Sequence, residues 1–525
     1  MLANFGRKQG SPRDAGELIL HMMRWLAYSL AVAIAAAQGG GPAQFRSTTR
    51  LVQLNVVVRD HGGAVADLKK DDFVILDGKK LRPVAMFAVE TAKSVIPGAM
   101  PQLPTGVFVN SMQRHAATPT NVSVVLFDGL NTPVTDLPYA RRQVAKFLAT
   151  LKPDDAVALY SMGRTVEVLH DFTSNPQNLA RLIDRYRNVG DSLANSGPLD
   201  QLLANLNRNL ADIDLQTRVR LTTEALEAVA QHVAPLPGRK NLIWVSASFP
   251  LTIGLDDPAG WTNRTRDRGT FADAITRAAR ALNAANVALY PVDARGLMIQ
   301  PGTEASEPQA AMELLAERTG GRAFYNTNDI AGSVRRAIED TEVSYVLGFY
   351  PEEADLDGKY HELRVQVPGR KGVETRSRMG YYATEKKPLS DEAAKQITAR
   401  AATGPLQASQ VELAVHVDWP EPGSMRLDLL ISARELTLTQ HEDRYQGSIR
   451  LSIVQLDKAK KVLDIVTDPI ALNLKQESLP TYMETGMSMA RTVKAKAGTA
   501  EVRVIVVDRP SGVYGSVIVP MVDVK

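Results

Sequence analysis

Between residues 121 and 350 short, continuously apolar runs alternate with stretches of helical periodicity, and few architectures accept that rhythm. Val122-Ser-Val-Val-Leu-Phe127, Ala156-Val-Ala-Leu-Tyr160, Asn241-Leu-Ile-Trp-Val245 and Val287-Ala-Leu-Tyr-Pro-Val292 have no polar face to offer water. A strand of that kind is covered on both sides, as in a parallel sheet between two helix layers. Thr165–Leu169 reads as an antiparallel edge. Between the runs, Leu137, Ala140, Val144, Phe147, Leu148 and Leu151 recur at helical spacing behind Asp136, a residue able to cap. Leu221, Ala225, Leu226, Val229 and Val233 repeat the pattern. Helical stretches at about 176–187, 270–284, 306–318 and 329–341, with short strands at Arg322–Tyr325 and Ser344–Tyr350, complete the alternation. The expectation is an α/β domain over 121–350 on a doubly wound, mostly parallel, Rossmann-like sheet. Ligands on such a sheet sit at the carboxyl ends of the strands, where strand order reverses.

The flanks read differently. Over 45–94, Leu51–Val58, Asp72–Leu76 and Leu81–Glu90 are separated by turn signals at Asp60-His-Gly-Gly63 and Asp77-Gly78, a small antiparallel β-module. Residues 95–120 hold Pro97, Pro101, Pro104 and Pro119 with little periodicity and read as a linker. Residues 351–385 read as an antiparallel extension and 386–407 as a helical connector. From 408 to 525 strands at 411–417, 425–432, 446–455, 461–466, 500–507 and 515–522 suit a β-sandwich.

A chain of 525 residues exceeds one hydrophobic core. Arg7, Lys8, Arg13 and Arg24 precede the apolar run Trp25–Ala37, too short for a comfortable membrane span and closing on Ala35-Ala36-Ala37. Residues 1–37 therefore read as a signal peptide cleaved before Gln38, with an uncleaved anchor or a buried helix as the alternatives. No later segment is long and apolar enough to span a bilayer. The expectation is an exported protein, periplasmic or extracellular. Its 61 basic and 58 acidic residues are well mixed, so the net charge of +3 makes no basic stripe and gives no argument for nucleic acid. With no cysteine, thiol catalysis, disulfides and cysteine-bound metals are excluded.

Three strand ends converge on the expected ligand edge. The first brings Asp128, Asn131 and Thr132, the second Ser246 and Ser248, and the third Asp293; Thr222 or Thr223 of a nearby helix can point at the same place. Blander readings stand beside this one. Asp and Thr at a strand end also cap the following turn and helix, and Asp293 with Arg295 also makes a local ion pair. Enzyme signatures are missing: no Gly-x-Ser-x-Gly elbow, no phosphate loop and no Gly-x-Gly-x-x-Gly follows a strand. The eight histidines are scattered without a His-x-x-x-His pair. The chain reads as a non-enzyme, with a hydrolase the less favoured reading.

Val124-Val-Leu-Phe-Asp-Gly-Leu-Asn-Thr132, Pro237-Gly-Arg-Lys-Asn-Leu-Ile-Trp244, Ala288–Leu297 and Leu315-Ala-Glu-Arg-Thr-Gly-Gly-Arg322, with Asp72-Phe73 and Asp77-Gly78 upstream, resemble the von Willebrand factor A domain, in the form found in acidobacterial proteins. The likeness covers roughly 50–383. Val493–Pro520 is similar to immunoglobulin-like or fibronectin-like sandwich tails. The first resemblance implies a Mg²⁺ adhesion site built from an Asp-x-Ser-x-Ser loop, a Thr on a second loop and an Asp after the fourth strand. Asp128 and Thr132 match the first loop, and Thr222 (or Thr223) stands for the second. Leu130 replaces the middle Ser, and Ser246-Ala247 stands where Thr-Asp belongs. The implied function is adhesion to a protein ligand through a degenerate metal site, with Asn131, Ser246, Ser248 and Asp293 as further contributors. A metal-free envelope scaffold is the alternative.

Overall fold

The computed structural model describes residues 51–91, 103–110, 122–133, 135–151, 155–173, 215–247, 265–296, 307–340, 342–383 and 389–521, together with 179, 183 and 249. The leader expected at 1–37 and Ser248 lie outside these residues. Of the helix expected at 176–187, only Leu179 and Ile183 lie within them.

The chain runs through β1 (Val52–Asp60), β2 (Val74–Asp77), β3 (Lys80–Arg82), β4 (Met86–Thr91) and a short β5 (Val107–Val109). Then come β6 (Ser123–Asp128), α1 (Leu137–Leu148), β7 (Val157–Met162), β8 (Val166–Thr173) and α2 (Leu215–Val233). β9 (Lys240–Ser246), α3 (Thr265–Ala284), β10 (Val287–Asp293), α4 (Glu307–Thr319) and α5 (Ile330–Glu339) follow. The stretch from β6 to β10 builds one five-stranded sheet in the order β10-β9-β6-β7-β8, parallel except for β8. Strand order reverses between β6 and β9, which sets Asp128 and Ser246 side by side at the carboxyl edge.

Both faces of this sheet are covered, as its apolar runs require. Val124, Leu126, Trp244 and Leu289 pack beneath α2, α3 and α4, while Val125, Phe127, Ile243, Val245 and Tyr290 pack beneath α1 and α5. Asp136 sits at the N-cap of α1 but makes no side-chain cap bond. Arg322–Tyr325 is not a strand: only Phe324 bridges, in parallel, to Val292.

The Thr319-Gly320-Gly321 turn fixes α4 to the sheet. Thr319 Oγ1 donates to Leu315 O at 2.9 Å and accepts from Leu289 N at 3.0 Å. Gly320 has φ +79°, which a side chain disfavours. Gly321 presses its backbone on the Leu289 carbonyl so closely that a Cβ there would lie 1.9 Å from the oxygen. Arg239 ties this turn to the start of β9, donating to Gly320 O at 2.5 Å. Much of the quoted likeness is thus architecture.

β11 (Val343–Phe349) differs from expectation. It does not join the parallel sheet but lies antiparallel between β1 and β4. β12 (Tyr360–Gln366) pairs with β2 and with β14 (Gly380–Tyr382), and β13 (Glu374–Arg376) pairs with β1. The 52–91 and 343–383 segments therefore share one core, in which Leu54, Val56, Phe73, Ile75, Tyr345, Leu347 and Phe349 are buried together. A buried apolar strand carries no local mark of which sheet takes it; here the partner surface on β1 and β4 decides.

That unit also holds a charge cluster in which Asp77, Arg82 and Asp355 are buried and Lys80 is exposed. Arg82 donates to Asp77 Oδ2 at 2.9 Å and to Asp355, while Lys80 Nζ lies 2.8 Å from Asp355 Oδ1. Lys80, then Arg82, hold the Asp355 carboxyl down to about 2 from an ordinary 3.8. Stabilisation from a depressed carboxyl is fully present above its unfolded-state value and lost as pH falls through the folded one. Asp355→Asn is expected to lower the urea midpoint at neutral pH, with the gap to the wild type closing as pH falls from about 4 towards 2; urea titrations across that range check it.

After α6 (Asp391–Thr403) come β15 (Leu413–Glu421), β16 (Ser424–Ile431), β17 (Arg444–Leu456), β18 (Val462–Lys475), α7 (Leu479–Thr485), β19 (Met487–Lys494), β20 (Glu501–Asp508) and β21 (Tyr514–Pro520). They form two antiparallel sheets over a shared core that includes Val415, Leu427, Ile453 and Val504. β5, expected within a linker, is a fourth strand here, pairing with β15. Asn110 secures it: Nδ2 donates to Ala408 O at 2.7 Å and Val411 O at 2.9 Å, and Oδ1 accepts from Leu413 N at 2.7 Å.

Candidate functional site

The carboxyl edge of the sheet brings Asp128, Asn131, Thr132, Thr222 and Ser246 into one buried network. β6 delivers Asp128 onto the face shared with Leu126 and Trp244, beneath α2, where its carboxylate is fully buried. Its Oδ1 accepts from Leu130 N at 2.9 Å and Asn131 N at 2.8 Å, an Asp turn that folds the loop back over the strand end. Gly129 N and Leu130 N also donate to Met162 O, at 2.8 and 3.0 Å. Oδ2 accepts from Asn131 Nδ2 and Trp244 Nε1, each at 2.9 Å, and the Ser246 hydroxyl bonds the same carboxylate. Burial pushes the Asp128 carboxyl up, against the opposing pull of these donors.

Asn131 is the link between loops. The same Nδ2 that meets Asp128 donates to Thr222 Oγ1 at 2.9 Å, so one amide nitrogen bridges the first loop and α2. Thr223 turns away, donating to Val219 O and Arg220 O in its own helix. Thr132 Oγ1 accepts from Ala247 N at 3.1 Å, which ties the loop to the end of β9. Asp293 is not part of the cluster. It lies on β10, two strands from Asp128 and so roughly 10 Å away at the backbone. Both its oxygens are held by Arg295, at 2.6 Å from Nη2 to Oδ2 and 3.0 Å from Nε to Oδ1.

Trp244 is the partner that the residue pattern does not announce as functional. A buried indole N–H needs an acceptor, and the pairing of Phe127 with Val245 sets Trp244 beside Leu126 and close to Asp128. That register was the available signal.

A divalent cation of the Mg²⁺ type wants several oxygens free to turn lone pairs on it. Here Asp128 is turned on N–H donors, Thr222 and Thr132 accept N–H groups, and Asp293 is engaged by Arg295. As arranged, these residues do not fit the cation: the buried Asn131 Oδ1 meets no donor, but a metal at Asp128 would compete with the Asn131 amide nitrogen and the Trp244 indole for its carboxylate. Among the described residues no group of three or more His, Cys, Asp or Glu is placed to hold a metal. Among them, too, no helix is long and apolar enough to cross a membrane.

No family model matches the sequence, and no curated protein matches it. Several solved structures are loosely similar. An aerotolerance-related membrane protein from Bacteroides fragilis NCTC 9343 aligns at 13% identity and TM-score 0.24, over 42% of this chain and 98% of its own. The conserved hypothetical protein BatB from Bacteroides thetaiotaomicron aligns at 15% identity and TM-score 0.23, over 42% and 96%. The three N-terminal domains of the type V pili tip protein Mfa5 from Porphyromonas gingivalis align at 10% identity and TM-score 0.27, over 84% and 77%. All three are bacterial, and none is acidobacterial.

Proposed function

We propose that this chain is an exported, non-enzymatic protein of von Willebrand A-like design that makes protein contacts through the carboxyl edge of its central sheet, and that it does so without a cation. The carrying observation is the Asn131 amide, which joins Asp128 to Thr222 by hydrogen bonds where the resembled family would put a metal. A cation contributes two things to such an edge: it cross-links loops, and it presents charge to an acidic ligand. The amide supplies the first and not the second. The edge is therefore a stiff platform that presents no bound cation, and its partner is selected by shape and by groups at the rim.

Thr135 is an exposed rim residue just beyond the Asp128 loop. Wild-type protein is expected to retain its partner from envelope or culture fractions equally in EDTA and in Mg²⁺. Thr135→Arg at the rim is expected to lose that partner, while Lys461→Glu on the distant sandwich keeps it. Retention by Thr135→Arg, or release of the wild-type partner in EDTA, overturns the reading.

A further inference from the structure

Two arginines flank the Asp128 loop, one from each neighbouring element. Arg164 stands in the turn that joins β7 to β8, two residues past Met162, whose carbonyl accepts from Gly129 N and Leu130 N. It is exposed, and Gly163 N closes the turn on Thr165 O at 2.8 Å. Arg218 stands on α2, one turn ahead of Thr222, so it shares the helix face that meets Asn131. α2 descends from this edge towards the start of β9, and helical side chains lean towards the N-terminus. The Arg218 side chain therefore reaches outward past the edge. It is half-buried and its Nε is enclosed without an acceptor, which packs the stem and leaves the guanidinium end as the part at the surface.

The surrounding charges leave both arginines without an acid. Among the described residues neither makes an ion pair. Glu224 on α2 is taken by Arg220 at 2.9 Å. Glu167 of β8 pairs with Ser161, so it points to the opposite face of the sheet from Met162 and Val166. Asp128 lies between the two arginines but is buried and turned on Asn131, Trp244 and Ser246. Across the sheet, by contrast, Arg295 is already held by Asp293, with Asp136 acting on it as well. The rim is thus basic on its α2 side only. A guanidinium whose stem is packed loses little freedom when a carboxylate meets it, and its planar fork takes both carboxylate oxygens. We propose that Arg218, with Arg164 across the loop from it, grips an acidic side chain of the protein partner. This grip presupposes the edge contact proposed above, and supplies it with the charge that no bound cation brings.

The test is fluorescence anisotropy of a labelled peptide of alternating Glu and Gly with the full chain, beside peptides that carry Gln or Lys in place of Glu. The wild type is expected to bind the Glu peptide saturably and the other two not at all. Arg218→Gln is expected to weaken the Glu peptide about tenfold, the loss of a hydrogen-bonded charge partner. Arg164→Glu, on an exposed turn where no packing is at stake, is expected to weaken it at least as much. Arg434→Gln, at an exposed position of the sandwich, is expected to change nothing. Wild-type affinity in either Arg218→Gln or Arg164→Glu overturns the proposal, as does equal binding of the Gln and Glu peptides or no binding of the Glu peptide. Capture of the native partner separates the grip from the edge contact itself. Loss in Thr135→Arg, which lies on the α1 side of the sheet, with full retention in Arg218→Gln sinks the grip alone. Retention in both sinks the edge contact and the grip with it.

Discussion

Asp340→Ala is expected to cost about 3–5 kcal/mol, the usual penalty for breaking a buried charge network by removing one partner. Asp340 is almost fully buried just after α5, and three groups from three parts of the chain close on it. Tyr290 Oη of β10 donates to Oδ2 at 2.7 Å, Arg376 of β13 donates to the same oxygen, and Arg59 of β1 donates to Oδ1 at 3.4 Å. Arg239 in turn donates to Tyr290 Oη. One carboxylate therefore gathers the parallel sheet and the β-unit at a single point. Its removal leaves the Tyr290 phenol without its acceptor and takes the buried carboxylate from two guanidinium groups, Arg59 keeping only Glu339 and Arg376 only Glu374. Calorimetric unfolding should show the transition of the α/β layer and β-unit falling steeply while that of the sandwich stays in place. Asp340→Asn, which keeps an acceptor oxygen but not the charge, should fall between the two.

Gly321→Ala is expected to cost about 3 kcal/mol, the upper part of the range for overpacking a tight core. The added methyl would stand 1.9 Å from Leu289 O, 2.7 Å from its carbon and 3.2 Å from Leu289 N, all of them backbone atoms of β10, which is paired with β9 along its whole length. Relief requires the end of α4 to lift from β10. That movement strains the Thr319 bond to Leu289 N and the Arg239 bond to Gly320 O. Gly498→Ala is the informative contrast, because no atom lies within 4 Å of its added methyl and only its φ of +84° opposes the change. Thermal unfolding of the two variants beside the wild type checks the order: Gly321→Ala far lower, Gly498→Ala slightly lower.

The α/β rhythm was legible because its causes are local. Val144 and Phe147 on α1 and Val229 on α2 are buried where their spacing places them, and α5 lies within a residue or two of its expected bounds. Val343–Phe349 was legible as a strand but not as a member of a particular sheet, since pairing with Val52–Val56 is a contact nearly three hundred residues away in sequence. β5 and β19 escaped notice for different reasons. A three-residue strand among prolines has too little periodicity to register, and Met487–Lys494 carries charged and small residues on its outer face. At the site, pattern reasoning brought Asp128, Asn131, Thr132, Thr222 and Ser246 to one edge. It could not say whether their oxygens faced a cation or N–H groups, because that depends on where the Asn131 amide and the Trp244 indole point. Asp293 is a strand-end carboxylate like Asp128, and the local ion pair with Arg295 that the sequence offers as its blander reading is the one it makes.

In the function proposed above, an amide nitrogen closes the Asp128 edge in place of a metal. Titrating Mn²⁺ into the wild-type chain, with free Mn²⁺ followed by electron paramagnetic resonance, tests it most directly. The arrangement of Asn131 and Trp244 on Asp128 predicts no saturable binding and no difference between the wild type and Asp128→Ala. Saturable uptake of one Mn²⁺ per chain that disappears in Asp128→Ala would contradict it.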